Sequence, residues 1–398
     1  MSDDREFNDE IINDRNEANQ VEIVDEQLDQ EVDEIKKAFY ETINTFKNLN
    51  DIRHFFSGLH KGLIRLRLIL LISESDDKNE ILDEFNSLFR VTKLKDLYKL
   101  DLLKDKELQR EPNFPLLGYL WFLPESSSSI LFTFTTKKQL LRYFFNSFVS
   151  KSRVISPLWI NQETTMKLIK DLQLDKEASL KKWKGEYSPL NNKKSKIRPY
   201  IEREISYYGN DAYNSLLELK DLYGVNIEYF TMTLFDLGYF SFNRKFATLT
   251  LRQGDLDVFI LMSKWLFENT NSYMNEVRRF KKILFNSIFS KRSIIISNDL
   301  SIKFKEELSN EILNEILKRI KKSNDLKLNY VVDFDQSKDS IYNIKIINKN
   351  SKGSFKVIIT KNSAHIFQIF NANFIGAIPF LDIIDFCQPR NEIFVKVP

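Results

Sequence analysis

The densest group of residues able to bind phosphate is a basic stretch in the middle of the chain. Its seven cations are Lys181, Lys182, Lys184, Lys193, Lys194, Lys196 and Arg198, and the aromatic residues among them are Trp183, Tyr187 and Tyr200. Lysine and arginine bind phosphates and aromatic rings stack on bases, so the pattern predicts contact with nucleic acid. A solvated surface loop is the alternative.

A second basic group, Arg90, Lys93, Lys95 and Lys99, lies on or near a helix predicted over residues 92–108. The periodicity of residues 51–125 predicts short helices followed by a strand, Leu116 to Leu123, an order typical of a winged helix. In that interpretation the third helix brings the four cations to phosphates or base edges. The alternative is a small helical domain without this role.

Several kinds of chemistry are excluded by what the chain lacks. It has one cysteine, Cys387, and three histidines, which rules out a cysteine-based zinc site and argues against a histidine-rich one. It has no Walker-type, dinucleotide-binding or G-x-S-x-G motif. We therefore expect no metal and no cofactor. The single cysteine favours a reducing, cytoplasmic location.

Residues 130–290 carry motifs that resemble a phospholipase-D-like domain. Val154-Ile155-Ser156-Pro157 matches a strand that ends near Ser-Pro, and Leu222–Ile227 matches a Gly-Val turn. The segment Phe242–Thr250 resembles the hairpin that carries His-x-Lys-x-x-x-x-Asp in that family. Here Asn243 stands at the histidine position, Lys245 at the lysine position and Thr250 at the aspartate position.

This departure from the motif implies a loss of catalysis. In the family the histidine attacks phosphorus, whereas the amide nitrogen of Asn243 has a delocalised lone pair and is a poor nucleophile. Asn243 can still donate and accept hydrogen bonds, and Lys245 can bind an anion. The resemblance therefore implies a pocket for a small anionic ligand at Asn243, Lys245 and Ser156. The alternative is that Lys245 is a surface residue of an unrelated hairpin.

Charge is divided unequally along the chain. Residues 1–35 contain fourteen Asp or Glu and two Arg, a net charge of −12, so the remaining residues carry +15. A basic body of this kind favours polyanionic partners, although scattered surface lysines give the same total. The first residues lack a signal-peptide pattern, and the longest apolar run, Leu68 to Ile72, is too short to span a membrane.

Hydrophobic periodicity predicts a multidomain chain of mixed α/β and α+β class. The predicted parts are a disordered acidic arm (1–19), a long amphipathic helix (20–50), a helical or winged-helix-like domain (51–125), a phospholipase-D-like α/β domain (130–290) and a small α+β domain (293–398). The long helix either docks on its own domain or forms a dimeric coiled coil.

The order of a winged-helix-like segment and a phospholipase-D-like domain is similar to that of TrmB-type archaeal transcriptional regulators. The resemblance implies a non-catalytic, DNA-binding regulator that senses a ligand and forms a homodimer. Two alternatives stay open: a diverged nuclease or phosphodiesterase using Lys245 with Asp236 or Asp255, and a scaffold that binds a protein partner through the C-terminal domain.

Overall fold

The computed structural model describes most of the chain from residue 38 onward. The described ranges are 38–39, 41–58, 65–103, 116–124, 128–174, 178–187, 203–235, 238–279, 282–286, 293–297, 299–322, 330–337, 341–348, 353–370, 374–387 and 392–396. The predicted acidic arm and most of the helix predicted over residues 20–50 lie outside these ranges. Within them, residues 44–48 form a turn, and Ile43, Phe46 and Leu49 are buried in the protein's own core.

Eleven strands form the larger of two main sheets. They are Leu66–Ser73 (β1), Phe89–Lys93 (β2), Tyr98–Leu102 (β3), Leu116–Phe122 (β4), Ser129–Thr133 (β5), Ile155–Pro157 (β6), Ala178–Tyr187 (β7), Arg203–Tyr208 (β8), Val225–Leu234 (β9), Gly238–Asn243 (β10) and Thr248–Gly254 (β11). The order across the sheet is β2-β3-β4-β5-β1-β11-β10-β9-β7-β8, and β6 also pairs with β1. Each described pairing is antiparallel.

Helices lie between these strands and after them. They are Leu49–Gly58 (α1), Lys78–Asn86 (α2), Lys137–Gln139 (α3), Gln162–Leu174 (α4), Ala212–Tyr223 (α5), Leu256–Arg278 (α6), Asn310–Lys322 (α7) and Phe374–Cys387 (α8). Helix α3 continues directly into a ten-residue π-helix, Leu140–Val149, here called π1. None of the helices in the described ranges is long and apolar enough to cross a membrane.

Strand β1 is covered on both faces along Leu68 to Ile72, which explains the unbroken apolar run there. All eight of its residues are buried. Alternate residues contribute to different cores: Leu66, Leu68, Leu70 and Ile72 to the larger, and Ile69 and Leu71 to the smaller. Helices α1, α4, α5 and α6 pack on the larger core, whereas α2 and π1 pack on the smaller.

The helix predicted over residues 92–108 is wrong for residues 92–103, the described part of that range, so Arg90, Lys93, Lys95 and Lys99 do not lie on a recognition helix. Residues 89–93 and 98–102 form β2 and β3, joined by a turn. Leu94, Leu97 and Leu100 recur every three residues, as in a helix, but the backbone pairs with β4 instead, and this tertiary pairing outweighs local periodicity. Arg90 lies opposite Asp101 across the strands.

The predicted boundary between residues 125 and 130 does not separate two sheets. Strand β1 precedes that boundary, yet it pairs with β5 and β11, which follow it. The two predicted domains therefore share one sheet.

The C-terminal region contains the second main sheet, and its mixed α and β composition was predicted. After the hairpin Lys282–Asn286 (β12) and Ser293–Ser297 (β13) come Asp299–Lys303 (β14), Tyr330–Ser337 (β15), Ile341–Asn348 (β16), Gly353–Ile359 (β17), Ser363–Phe370 (β18) and Glu392–Lys396 (β19). The order is β15-β16-β17-β18-β14-β19, with antiparallel pairing. The prediction of mixed α and β structure is thus confirmed.

The two main sheets contain the same topology, a repeat not visible in the sequence. The first copy is β1, α2, β2 to β5, α3–π1 and β6, and the second is β14, α7, β15 to β18, α8 and β19. In each copy the first strand lies between the fifth and the sixth. The unit β7 to β11 follows the first copy and extends its sheet along β1.

Gly118 in β4 has no room for a side chain. A Cβ at this position would lie 2.2 Å from the backbone oxygen of Phe132 in β5. We expect Gly118→Ala to reduce the free energy of unfolding by about 1–3 kcal/mol, because β5 must move to accept the methyl group. Urea denaturation measures this. Gly209→Ala is the control, since its nearest clash is a side-chain oxygen of exposed Asp211; equal midpoints for Gly118→Ala and wild type would contradict the prediction.

Candidate anion-binding site

A groove of about 350 Å³ lies on one face of the larger sheet, beside π1. Its floor comes from β1, β11, β10, β9 and β7, and its side wall comes from α3 and π1. The lining residues are Arg65, Arg67, Lys137, Leu140, Leu141, Phe145, Lys182, Lys184, Glu228, Tyr229, Ser241, Asn243, Phe246, Thr248, Thr250 and Arg252. The volume is within the range of small-molecule sites.

Strand register arranges the floor in rows. One row places Thr250 between Arg67 and Ser241. The next row, two residues along each strand, is Thr248, Asn243, Tyr229 and Lys184. At the opposite end, Arg65 and Arg252 flank the Leu66–Leu251 pair. Because side chains two residues apart on a strand share a face, a single polar surface results.

Positive charge dominates the groove. Among the described lining residues, six are cations and one, Glu228, is a carboxylate. Lys184 forms an ion pair with Glu204 at 2.6 Å, whereas Arg65, Lys182 and Arg252 have no carboxylate partner within the described ranges. Burial and the charge of Arg65 lower the pKa of Arg67 to about 10. A bound anion would relieve this repulsion.

A β-bulge brings Glu228 into the groove. Opposite β9, Lys184 pairs with Tyr229 and Gly185 with Ile227, so Glu228 has no partner residue on β7. Bulges redirect side chains in this way near functional sites. Burial, and then the nearby Glu186, raise the pKa of Glu228, against the opposing effect of Lys245, Arg244 and Lys184.

The predicted hairpin at Asn243 is present, and its turn spans residues 244–247. Asn243 Oδ1 accepts a hydrogen bond from the backbone N–H of Phe246 at 3.1 Å. Ala247 has a φ of 44°, which is unusual for a residue other than glycine, and its carbonyl accepts a hydrogen bond from Leu70 N. The turn thus holds Asn243 and Phe246 in the groove.

The wall of the groove is built by an uncommon helix type. Long π-helices are rare, and π segments are frequent at functional sites. Thr136 caps the start of α3, and Leu140 and Phe145 of π1 line the groove. The rings of Phe145 and Phe246 are 4.5 Å apart between centroids. They form an apolar surface beside the cations.

Sequence reasoning identified part of this site. Asn243, Lys182 and Lys184 line the groove, as does Thr250 at the motif's aspartate position. Lys245 is exposed in the turn and is not part of the lining, and Ser156 is buried in β6 opposite Ile72. Of the three residues predicted for the anion site, only Asn243 therefore lines the groove.

The remaining predicted nucleic-acid residues are dispersed. Trp183 is fully buried and stacks on Tyr207, so it cannot stack on a base. Lys181 bonds to Asn210 Oδ1 at 3.1 Å. Arg90, Lys93, Lys95 and Lys99 lie on or between β2 and β3. Two strands, β4 and β5, separate β3 from β1, the nearest strand of the groove floor. A further group, Lys193, Lys194, Lys196 and Arg198, lies outside the described residues.

The lining residues that sequence reasoning missed include five charged side chains and one tyrosine: Arg65, Arg67, Lys137, Glu228, Arg252 and Tyr229. A local signal existed, because Arg65 and Arg67, and likewise Thr248, Thr250 and Arg252, place polar residues at every second position of otherwise apolar strands. Such alternation marks a polar sheet face, but it does not show which strands are neighbours.

Next to the groove, Arg244 anchors the hairpin turn to the C-terminal region. It is 6% exposed and lies 3.0 Å from Asp382 Oδ1 and 3.4 Å from Asp385 Oδ2, both on α8. Asp385 Oδ2 also accepts from the backbone N–H of Gln162 at 2.9 Å. Burial alone would lower the pKa of Arg244, but the carboxylates of Asp382, Asp385 and Glu228 outweigh it and raise that pKa.

A separate polar cluster surrounds His365 on β18. Nδ1 lies 2.8 Å from Asp299 Oδ2, and Nε2 lies 3.0 Å from Ser363 Oγ. A carboxylate, an imidazole and a hydroxyl contact one another in the same order in the catalytic triad of serine hydrolases. Ser363 Oγ, however, is also 3.1 Å from Thr360 Oγ1, whose hydroxyl accepts from Ser363 N and so closes the β17–β18 turn. The contacts therefore connect β14 to this turn.

Comparisons with known proteins give a family match only for part of the chain. Residues 167–246 match AF_0896_M, described as a family middle domain. The matched range contains Lys182, Lys184, Glu228, Tyr229 and Asn243 of the groove. The chain is also 28% identical over 207 residues to an uncharacterized protein of Archaeoglobus fulgidus, covering 50% of this chain and 56% of that relative. The chain thus spans about half the length of this curated relative. No solved structure matches the chain.

Proposed function

We propose that this protein is a non-catalytic regulator that senses a phosphate-bearing ligand in the basic groove. The observation that carries the proposal is the set of six lining cations around one carboxylate, with Arg65, Lys182 and Arg252 lacking carboxylate partners within the described ranges. Arginine and lysine form strong charge-assisted hydrogen bonds with phosphate oxygens. Ser241 and Thr250 add hydroxyl donors on the floor, whereas the Thr248 hydroxyl already donates to the Phe246 carbonyl at 2.9 Å.

The groove chemistry supports binding more than catalysis. The described residues of its lining include neither histidine nor cysteine, and Asn243 stands where a nucleophile would be needed for the phospholipase-D-like reaction. Asp255, considered for a diverged nuclease, accepts a hydrogen bond from Asp257 N and caps α6. Kinship with phospholipase-D-like and TrmB-type proteins, DNA binding and dimerisation remain predictions.

The proposal is tested by binding of inorganic pyrophosphate, measured by calorimetry at low ionic strength. Arg65→Ser combined with Arg252→Ser is expected to weaken binding at least tenfold, because each arginine supplies charge-assisted hydrogen bonds worth about 1.5–3 kcal/mol. Both side chains are exposed, so the fold should tolerate the change.

The matched control removes the same charge elsewhere. Lys303→Ser combined with Lys345→Ser changes two exposed lysines of the C-terminal sheet and should leave pyrophosphate affinity within about twofold of wild type, because neither lysine is among the groove residues that can contact the ligand. Absence of pyrophosphate binding by the wild-type protein, or an equal loss in both double variants, would refute a specific groove.

A further inference from the structure

The groove differs in chemistry between its two ends. Arg65, Arg67 and Arg252 lie at one end, and Glu228, Tyr229, Asn243 and Phe246 lie at the other. Along β11, the rows of Arg252 and Thr248 are four residues apart, roughly 13 Å at the rise of a β-strand. A ligand that fills this length would need an anionic end and an end that is planar and hydrogen-bonding.

Glu228 is the residue that a simple phosphate site does not explain. A carboxylate repels phosphate, yet the bulge in β9 directs this one into the groove. Within the described ranges its side chain has no hydrogen-bond or ion-pair partner. Its oxygens are therefore available to accept hydrogen bonds from N–H groups of a ligand.

Asn243 supplies a complementary donor on the adjacent strand. It lies opposite Tyr229, the neighbour of Glu228 in the chain. Its Oδ1 is occupied by Phe246 N–H, and this bond to a backbone donor fixes the orientation of the amide. The Nδ2 hydrogens are then left to donate to the ligand. The pair thus offers two carboxylate acceptors beside an amide donor.

Aromatic rings at the same end can hold a planar group. Tyr229 lines the floor, and Phe145 and Phe246, 4.5 Å apart, line the wall. Stacking on aromatic side chains is a common way for proteins to bind a nucleobase. Lys184, the cation in the same row, is already paired with Glu204, which reduces its repulsion of a neutral ring.

We infer that the ligand is a guanine nucleotide, an inference that rests on the proposed function. Glu228 and Asn243 would bind the base, and the arginines would bind the phosphates. Guanine presents two adjacent donors, N1–H and the N2 amino group, to one carboxylate, and its O6 acceptor is next to N1. Hypoxanthine lacks the N2 amino group, and adenine has a single exocyclic donor beside an acceptor nitrogen. Guanine alone among these purines satisfies both oxygens of Glu228 and the Asn243 amide.

The test compares GDP, inosine diphosphate and inorganic pyrophosphate by calorimetry on the full chain at pH 8. We expect GDP to bind at least tenfold more tightly than pyrophosphate, and inosine diphosphate to lose about tenfold relative to GDP, because one hydrogen bond to a charged acceptor is missing. Glu228→Gln should reduce the preference for GDP over inosine diphosphate to about twofold or less, and pyrophosphate affinity should be unchanged or higher.

Glu80→Gln, which removes an exposed carboxylate from α2, is the matched control and should keep the GDP preference. Equal melting temperatures for Glu228→Gln and wild type would show that the fold is intact. Pyrophosphate binding without any preference for GDP would refute the base site and leave the anion groove standing. A GDP preference that survives Glu228→Gln would refute the role of Glu228, and absence of binding by all three ligands would overturn the proposed function itself.

Discussion

Replacing Arg244 with methionine is expected to lower the free energy of unfolding by about 3–5 kcal/mol, because the buried carboxylate of Asp385 then loses its cationic partner. Arg244 is 6% exposed and Asp385 is 7% exposed at the side chain. Asp382, at 30%, can turn toward water, so the loss should arise mainly from Asp385. Urea denaturation at pH 8 measures the effect.

The neighbouring residue provides a matched control. Lys245→Met removes an exposed cation from the same turn and should change stability by less than about 0.5 kcal/mol. Adding Asp385→Asn to Arg244→Met should recover part of the loss, since it removes the unpaired charge. If Arg244→Met and Lys245→Met unfold at the same urea concentration, the buried ion pair does not stabilise the junction.

The stability of the protein should depend on pH through Asp385. Burial raises the pKa of this carboxyl from 3.8 to about 7, despite the opposing effects of Arg244 and the Gln162 N–H. Between pH 3.8 and about pH 7, Asp385 keeps its proton in the folded protein but releases it in the unfolded chain. The stabilisation that protonated Asp385 gives the folded state is therefore fully present below about pH 4 and is lost as pH rises through 7. Its total is on the order of 4 kcal/mol.

Comparison with Asp385→Asn isolates this contribution. Asparagine can still accept from Gln162 N–H and does not titrate. From pH 5 to pH 8, we expect wild type to lose roughly 2–3 kcal/mol more free energy of unfolding than Asp385→Asn, because other groups titrate equally in both. Asp382→Asn should retain the wild-type slope. Parallel pH profiles for wild type and Asp385→Asn would contradict the assignment.

Local features of the sequence were sufficient where neighbouring strands are consecutive in the chain. Asn350, Ser351 and Gly353 are residue types typical of turns and so predict a break between two strands, and the register of β16 with β17 starts at Asn348 and Gly353. The hairpin at Phe242–Thr250, which only the family resemblance predicted, has its turn at residues 244–247. In both cases the turn and the strands that it joins lie within about twenty residues, so local propensity and register agree.

Long-range pairing was beyond local reasoning. Residues 92–108 carry a three-residue apolar spacing that predicts a helix, yet residues 89–102 form the β2–β3 hairpin, and β4 supplies backbone partners for β3. The groove is a stronger example, because Arg67 meets Thr250 only through the pairing of β1 with β11. No property of either segment alone specifies that neighbour, and the bulge that directs Glu228 inward depends on β7.

The position of β1 between β5 and β11 has a consequence for synthesis on the ribosome. Residues 66–73 emerge early and can pair with β5 soon afterwards, but the pairing of residues 66–69 with residues 248–251 must wait for the rest of the sheet. At 5–20 residues per second, this delay is on the order of ten seconds or more. During it, one edge of the largely apolar β1 has no backbone partners. Unpaired strand edges promote aggregation, so we expect the nascent chain to need protection by chaperones.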